Sequence, residues 1–369
     1  MTVSTFVPGL SLAAATYHEA VRPILDAAFP RLAHSAALLG PGSEVLGYDT
    51  VRSTDHDWGP RLQLFLHPAD ARRHAQEITV ALAERMPASV AGWSTNFSPP
   101  EPGQSRWLQP AGEGPIDHRV EVLDLDAWLG DRLGVDPRNG MRARDWLAIP
   151  TQLLLEVTAG AVFHDGLGQL EHIRAALAWY PDDVWRYLLA CQWRRIAQEE
   201  AFPGRCAENG DELGSRMVTA RLVRDLMRLA LLVERRYPPY SKWLGTAFAR
   251  LRCAPALQPL LAGALAARDW PQREEALCAA YEDLARAHNK LGVADPVDPT
   301  VRPFHDRPFR VLAADRFADT TSRAITNPEV SVLPPDIGGV DQFVDSTDVL
   351  GAADRARAVA TALHAPPPD

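Results

Sequence analysis

Three features of the sequence predict an α+β fold. The first 125 residues contain short segments in which apolar and polar residues alternate, which is typical of strands. From about Leu125 onward, apolar residues recur at helical spacing, and after Pro296 the chain becomes rich in proline and aspartate. We therefore predict a small mixed-sheet domain at 1–135 and a helical domain at 136–295, with a tail at 296–369 that packs on the rest and frays at its end.

The front of the chain supplies the elements of this sheet. Apolar residues at helical spacing predict one amphipathic helix over residues 11–32. The apolar run 36–39 predicts a strand, and the alternation within 58–66 predicts a second, half-buried strand. Residues 68–85 follow as a helix with proline in its first turn, and 116–123 form a later strand.

Helical periodicity dominates the rear of the chain, and we expect no strand there. The predicted helical segments are 142–158, 170–179, 182–200, 212–235, 240–251 and 273–291.

The composition excludes several classes of protein. A hydrophobic content of 46% and a charged content of 23% are typical of a globular chain. The net charge of -9 disfavours a nucleic-acid partner, which basic surfaces attract. The four cysteines lack CxxC spacing, which argues against a zinc site or a disulfide framework. We expect no signal peptide, no membrane span and a cytoplasmic location; the oligomeric state does not follow from the sequence.

One cluster in the front combines a glycine-serine loop with acidic residues. Gly42 and Ser43 follow the first predicted strand, and Asp55 and Asp57 come after eleven intervening residues, beside the second strand. Glu121 lies between two valines on the later strand. Glycine lets a backbone approach a phosphate oxygen closely, and serine adds a hydroxyl and a backbone N–H. We therefore expect this loop to hold phosphate groups.

The acidic residues have the chemistry of a magnesium site. Two carboxylates one residue apart on a strand point to the same face. We expect Asp55 and Asp57 to share divalent cations, which two-metal sites hold about 3.5–4 Å apart. Mg²⁺ prefers oxygen ligands, and Mn²⁺ is the alternative. Glu121 would complete one metal shell or accept a proton.

This arrangement resembles the polymerase-β-like nucleotidyltransferase superfamily. The signature of that superfamily is an apolar residue, Gly-Ser or Gly-Gly, about a dozen residues, and Asp-x-Asp. Leu39 and the loop ending in Ser43 match the first part, and Asp55 with Asp57 matches the second. The third acid of the superfamily maps best onto Glu121.

Within the superfamily, the chain resembles a bacterial family of unassigned function that joins this domain to a helical rear, as aminoglycoside nucleotidyltransferases do. The motif match covers 38–66 and 117–124. The rear resembles that family only in its helical character and in the segment 237–243. Two departures are His56, which stands where an apolar residue is usual, and a long spacer before Asp55.

Several acidic residues compete with these assignments. Asp117 is the alternative to Glu121, whereas Asp124 and Asp126 are better explained as caps of the next helix. Asp49 is expected to be a turn residue. His56 either orients one of the paired aspartates or forms a salt bridge on the strand.

Lys242 is a candidate phosphate ligand from the rear. The resemblance implies this role for Lys242, because a lysine from the helical part of the aminoglycoside nucleotidyltransferases reaches the triphosphate. The alternative is a surface lysine beside Trp243. Arg61 could also bind phosphate, or it could pair with an acid.

Two His-Asp pairs favour a different class of enzyme, the metal phosphohydrolases, which carry such pairs on helices. This interpretation is weaker. His164-Asp165 precedes a glycine and is expected to form a turn, and His305-Asp306 lies in the proline-rich tail.

The sequence thus predicts a metal-dependent nucleotidyltransferase that binds a nucleoside triphosphate in a cleft between its two main parts. It would transfer a nucleoside monophosphate, expected to be AMP, to a hydroxyl of a small molecule and release pyrophosphate. A protein or a tRNA end is the alternative acceptor. The alternative class is a nucleotide-binding or interaction protein without turnover.

Overall fold

The computed structural model describes residues 5–365 and confirms the α+β fold. The chain divides into two compact units. The first contains the described residues up to Gly140 together with Leu153–Ala178, and the second contains Met141–Gln152 together with the described residues from Trp179 onward. The three domain limits expected from the sequence stay a prediction. Within the described part of the chain, no helix has the length and apolar character needed to cross a bilayer.

Helices and strands are numbered here in chain order. The α-helices are α1 (Gly9–Ala15), α2 (Arg22–Ala28), α3 (Pro68–Arg85), α4 (Leu125–Leu133), α5 (Ala143–Ala148), α6 (Thr151–Thr158), α7 (Leu170–Ala176), α8 (Asp182–Glu199), α9 (Phe202–Glu208), α10 (Glu212–Val233), α11 (Ser241–Phe248), α12 (Ala254–Ala266), α13 (Trp270–Asn289), α14 (Asp315–Arg323), α15 (Pro328–Ser331), α16 (Val340–Phe343), α17 (Thr347–Leu350) and α18 (Ala353–Leu363). A π-helix at Thr16–Val21 joins α1 to α2, and 3-10 helices span Val51–Asp55 and Pro137–Asn139. The strands are β1 (Ser35–Leu38), β2 (Arg61–Leu66), β3 (Ser89–Val90), β4 (Trp93–Ser94), β5 (Arg119–Asp124), β6 (Ala161–Asp165), β7 (Arg302–Pro303) and β8 (Arg310–Val311).

The first unit is built on a four-stranded mixed sheet in the order β5-β2-β1-β6. β1 is antiparallel to both β2 and β6, whereas β2 is parallel to β5 with Gln63 opposite Glu121. The parallel pair requires a long crossover connection, and this connection includes α3. Ile78 and Leu82 of α3 pack with Leu64 in the core on one face of the sheet.

The prediction of a half-buried strand over 58–66 is wrong in two respects. The strand begins only at Arg61, and all six of its residues are buried. β2 is an inner strand, and its second face is also covered. The Gln63 amide accepts from the Leu39 N–H at 3.0 Å and donates to the Leu39 carbonyl at 3.2 Å. Phe65 packs edge-on against Trp128, with ring centroids 5.1 Å apart.

The expectation that no strand follows Leu125 is also wrong. β6 completes the sheet of the first unit, and its register places Asp165 opposite Ser35. β1 and β6 are about 130 residues apart in the chain. Their pairing is therefore long-range and leaves little signal in the local sequence.

The helical predictions hold in outline but not at every boundary. The N-terminal segment is helical and includes the π-helix, and α3 matches its predicted range. The segment 142–158 is two helices rather than one, because Pro150 has no N–H to donate and restricts the residue before it. The helices α9 and α12 lie outside the predicted helical segments.

The second unit is helical, and aromatic residues lie at the centre of its long helices. Trp193 of α8 is fully buried and stacks on Phe317 of α14, with centroids 4.8 Å apart. Its Nε1–H donates to Nδ1 of His288 in α13 at 3.1 Å. Burial lowers the pKa of His288 to about 4, so the ring is neutral and can accept this bond.

Glu200 ties the tail to the helices of the second unit. Its carboxylate is 8% exposed and accepts the backbone N–H groups of Leu312 at 2.7 Å and Ala314 at 2.9 Å. Burial raises the pKa of Glu200 from 4.5 to about 7 and outweighs these hydrogen bonds, which lower it. A raised acid pKa favours the folded state at low pH, and this contribution is lost as pH rises from 4.5 to 7.

We therefore expect the stability of the wild type to fall relative to that of Glu200→Gln between about pH 5 and about pH 8. The relative loss should be at most about 3 kcal/mol, because glutamine does not titrate. Urea unfolding of both chains at the two pH values measures it. If the difference in free energy of unfolding between the wild type and Glu200→Gln is the same at both pH values, Glu200 does not have a raised pKa in the folded state.

Candidate functional site

The loop after β1 turns at two glycines whose positive φ angles are rarely adopted by other residues. Gly40 has φ +82° and Gly42 has φ +150°. A Cβ atom at Gly42 would collide with Nη2 of Arg61 and lie 2.8 Å from Oε2 of Glu44. Gly42 is therefore required both for the turn and for the close approach of these two side chains.

A buried ion pair fixes this loop to the sheet. Arg61, the first residue of β2, donates from Nε to Oε1 of Glu44 at 2.7 Å, and its Nη2 lies 2.6 Å from the same oxygen. The same Nη2 donates to the Pro41 carbonyl at 2.8 Å. The two side chains are only 9% and 3% exposed. Arg61 thus pairs with an acid, one of the two roles that the sequence left open.

The loop offers backbone donors of the kind that bind anions. Among residues 5–365, the structure gives no hydrogen bond from the backbone N–H of Gly42 or Ser43. The Ser43 carbonyl accepts from the Tyr48 N–H at 2.8 Å, which closes the turn. Neighbouring N–H groups in a turn form a concave site for a phosphate oxygen, and Arg61 neutralises the Glu44 carboxylate beside them.

Asp49 has a larger structural role than that of a turn residue. Its Oδ2 accepts from the Gly9 N–H at 2.7 Å and from Nε1 of Trp58 at 3.0 Å. It therefore connects the loop to the start of α1 and to the indole that precedes β2. No local pattern predicts these contacts, because they depend on the fold.

The expectation that Asp55 and Asp57 share one strand face is wrong. Asp55 ends the 3-10 helix that Thr50 caps, and β2 begins four residues after Asp57. Gly59 at φ +143° separates Asp57 from the strand. Asp55 is 57% exposed, with Oδ1 2.9 Å from Nδ1 of His56, so His56 contacts Asp55 from a bend rather than from a strand.

Asp57 is held by two arginines. Its Oδ1 accepts from Nη1 of Arg119 at 2.5 Å and from the backbone N–H of Arg106 at 3.2 Å, and its own N–H donates to the Arg106 carbonyl at 2.6 Å. Burial raises the pKa of Asp57, but hydrogen bonds from Arg106, Ser105 and Arg119 outweigh it and lower the pKa overall. The carboxylate is therefore ionised at neutral pH.

Glu121 lies on the same strand as Arg119. Arg119 and Glu121 are two residues apart on β5 and share a face of the strand, opposite Arg61 and Gln63 in register. Glu121 is exposed. Asp57 is thus bonded to a residue of β5, the strand that also carries Glu121.

The competing acids have other partners. Asp117 is exposed on the loop before β5, where its N–H donates to Oδ1 of Asn96 at 2.9 Å. Asp124 caps α4 through the N–H groups of Asp126 and Ala127, as expected. Asp126 does not cap the helix; it pairs with Arg138 at 2.7 Å.

In this arrangement the predicted ligands do not form a metal site. Carboxylate oxygens suit Mg²⁺, but residues 5–365 contain no group of three or more His, Cys, Asp or Glu side chains placed to hold a metal. Asp57 is bonded to Arg119, and Asp55 contacts His56. The roles of Asp55, Asp57 and Glu121 as metal ligands stay a prediction.

Lys242 belongs to the second unit, whereas the other predicted site residues belong to the first. It is exposed in α11, with Nζ 5.1 Å from the Trp243 ring centroid. Its predicted phosphate contact is untested.

Neither His-Asp pair lies on a helix, as a phosphohydrolase site would require. His164-Asp165 ends β6, where Asp165 accepts from Oγ of Ser35 at 2.6 Å. His305-Asp306 lies between β7 and β8.

Comparisons with known proteins give limited similarity. A family model described as a domain of unknown function (DUF4037) matches residues 146–244. This match is consistent with the resemblance to a family of unassigned function, and it includes the segment 237–243 but not the loop from Gly42 to Asp57. No curated protein matches the chain.

One solved structure with a similar chain is a nucleotidyltransferase-like protein from Exiguobacterium sibiricum 255-15. The similarity covers 74% of this chain and 76% of that one, at 13% identity and a TM-score of 0.31.

Replacement of Gly42 tests the geometry of the loop. We expect Gly42→Ala to lower the free energy of unfolding by about 1–3 kcal/mol, because the new Cβ meets Arg61 and the positive φ is strained. Gly112→Ala is the matched control, since a Cβ there meets nothing within 4 Å. Urea unfolding measures both, and equal stability of the two variants would contradict the described loop.

Proposed function

We propose that the first unit binds a nucleoside triphosphate and transfers its nucleotidyl group, expected to be AMP, to a hydroxyl of a small molecule. The observation that carries the proposal is the loop at Gly42 and Ser43. The loop follows β1, an inner strand of the sheet, and adopts a conformation that favours glycine. Its backbone N–H groups lie next to the Glu44 carboxylate, whose charge Arg61 neutralises.

The proposed roles follow from the chemistry of each group. The N–H groups of Gly42 and Ser43 hold the β- and γ-phosphates. The acceptor hydroxyl attacks the α-phosphorus, the bond to the bridging oxygen breaks, and pyrophosphate leaves. Glu121, an exposed carboxylate on the same sheet, accepts the proton of the attacking hydroxyl. Lys242 is a proposed further phosphate ligand, because an ammonium suits phosphate as a point charge.

Asp55, Asp57 and Glu121 are the proposed ligands of Mg²⁺ or Mn²⁺. They are not arranged as a metal site in the structure, and the phosphate contacts of Gly42 and Ser43 do not require the metal. Metal binding would require Asp57 to exchange Arg119 for the cation.

The proposed acceptor is a small hydroxylated molecule. The resemblance to aminoglycoside nucleotidyltransferases supports this choice, and the net charge of -9 disfavours a tRNA. A protein side chain and a tRNA end are the alternative acceptors.

A second candidate function is nucleotide binding without turnover. The observation that favours it is the dispersed state of the carboxylates: Asp57 is engaged by Arg119, and Asp55 is turned towards His56. Binding by the loop does not depend on these carboxylates, whereas transfer does.

Transfer of label separates the two functions. The purified chain is incubated with α-³²P-labelled nucleoside triphosphates, Mg²⁺ or Mn²⁺, and a small-molecule extract. We expect a labelled product from the wild type and at least a hundredfold less from the double variant Asp55→Ala, Asp57→Ala. The double variant Glu101→Ala, Glu113→Ala removes the same charge from exposed loop positions and should retain activity.

Label transfer that persists in the Asp55, Asp57 variant would contradict the proposed enzyme. Nucleotide binding by the wild type without transfer, measured by calorimetry, would favour the second candidate. A wild-type chain that binds no nucleotide would contradict both.

A further inference from the structure

A second arginine lies beside the loop that follows β1. Arg132 is in the last turn of α4, and a Cβ atom at Gly40 would lie 3.7 Å from its Nη2 atom. The Gly40 N–H donates to the backbone carbonyl of Glu156 at 2.9 Å. Nη1 of Arg132 donates to Oε2 of the same glutamate at 3.1 Å. Glu156 therefore contacts both the loop and the guanidinium, and all three residues belong to the first unit.

The guanidinium of Arg132 has unused donors. A guanidinium carries five N–H bonds, and among residues 5–365 the structure gives this one a single hydrogen bond, from Nη1 to Glu156. The side chain of Arg132 is 26% exposed, whereas that of Glu156 is 7% exposed. An anion that approaches from solvent therefore reaches the guanidinium more easily than the carboxylate.

Arg61, the other arginine at this loop, differs from Arg132 in both respects. Its side chain is 9% exposed, and its Nε and Nη2 atoms are already bonded to Glu44 and to the Pro41 carbonyl. Arg61 is therefore a structural residue of the loop. Arg132 is more exposed and keeps nitrogen atoms available for a ligand.

One anion can contact the loop and Arg132 together. Gly40 and Gly42 are two residues apart, so their Cα atoms are at most about 7 Å apart. A triphosphate carries oxygens on three linked phosphorus atoms. One phosphate can accept from the N–H groups of Gly42 and Ser43, while its neighbour accepts from the guanidinium, whose parallel N–H bonds match phosphate oxygens.

We propose that Arg132 is a ligand of the triphosphate at the loop of Gly42 and Ser43, and that Glu156 positions its guanidinium. The ion pair with Glu156 stays closed when phosphate binds, because Nη1 and Nη2 serve different partners. This role rests on the proposed function. It adds a cation from the first unit itself, at a position that the nucleotidyltransferase motif does not contain.

Two variants separate a phosphate ligand from a structural ion pair. Arg132→Gln alone would leave the buried Glu156 carboxylate unpaired and could destabilise the fold. The comparison is therefore between the single variant Glu156→Gln and the double variant Glu156→Gln, Arg132→Gln. Glutamine at position 156 keeps an oxygen that can accept from Arg132. Calorimetry with ATP in EDTA measures binding without dependence on a metal.

We expect Glu156→Gln to bind ATP about threefold more tightly than the wild type, because a negative charge beside the phosphate is removed. The double variant should bind ATP about tenfold more weakly than Glu156→Gln, because a charged hydrogen-bond donor is lost.

Arg73→Gln is the matched control, since Arg73 is an exposed arginine of α3 in the same unit. β1 and β2 are antiparallel, so the loop after β1 lies at the start of β2, whereas α3 follows the end of β2. Arg73 is near the start of α3 and thus at the opposite edge of the sheet. Its replacement should change ATP affinity by less than about twofold.

Weaker ATP binding by Glu156→Gln than by the wild type would overturn the role of Arg132, because the ion pair would then matter only for structure. Equal ATP affinities of Glu156→Gln and the double variant would overturn it as well, and would leave the proposed function intact. A wild-type chain that binds no ATP would overturn both proposals.

Discussion

The ion pair between Arg61 and Glu44 is the contact on which the loop of the candidate site depends. Arg61 begins an inner strand, so its side chain emerges from a fully buried position and has one carboxylate and one carbonyl as partners. Removing water from two charges is unfavourable, and loss of either partner would leave a buried charge uncompensated. The pair therefore holds the loop after β1 in a single position against the sheet.

The conformation of the loop follows from that contact. The guanidinium occupies the space that a side chain at position 42 would need, so Gly42 and Arg61 are coupled residues. In the turn that results, the structure gives the backbone N–H groups of Gly42 and Ser43 no hydrogen bond within residues 5–365. Asp49 then connects the far end of the loop to α1, which gives the segment a second attachment to the fold.

The sequence predicts the local parts of this architecture well. Helices such as α3 have a continuous pattern with clear ends, and the strand that carries Glu121 shows its alternation directly. β6 and the buried second face of β2 could not be predicted in this way. They depend on pairing between segments about 130 residues apart and on the Gln63 side chain bonding the backbone of Leu39, just after β1.

The site shows the same division between local pattern and tertiary contact. The spacing of Gly42, Ser43, Asp55 and Asp57 is visible in the sequence, but their conformations are not. An Asp-x-Asp pattern implies two carboxylates on one strand face only if the strand extends through it. Here Gly59 and Pro60 delay the strand. The partners of Asp57 are Arg106, in the connection between β4 and β5, and Arg119 of β5; both are distant in sequence, and only the fold reveals them.

The central claim is that the loop at Gly42 and Ser43 is the triphosphate site. A crystal structure of the chain with Mg²⁺ and α,β-methylene-ATP tests it most directly. The account predicts phosphate oxygens about 3 Å from the backbone nitrogens of Gly42 and Ser43, with Arg61 still bonded to Glu44. A nucleotide bound elsewhere on the chain, with these two nitrogens free of phosphate, would contradict it.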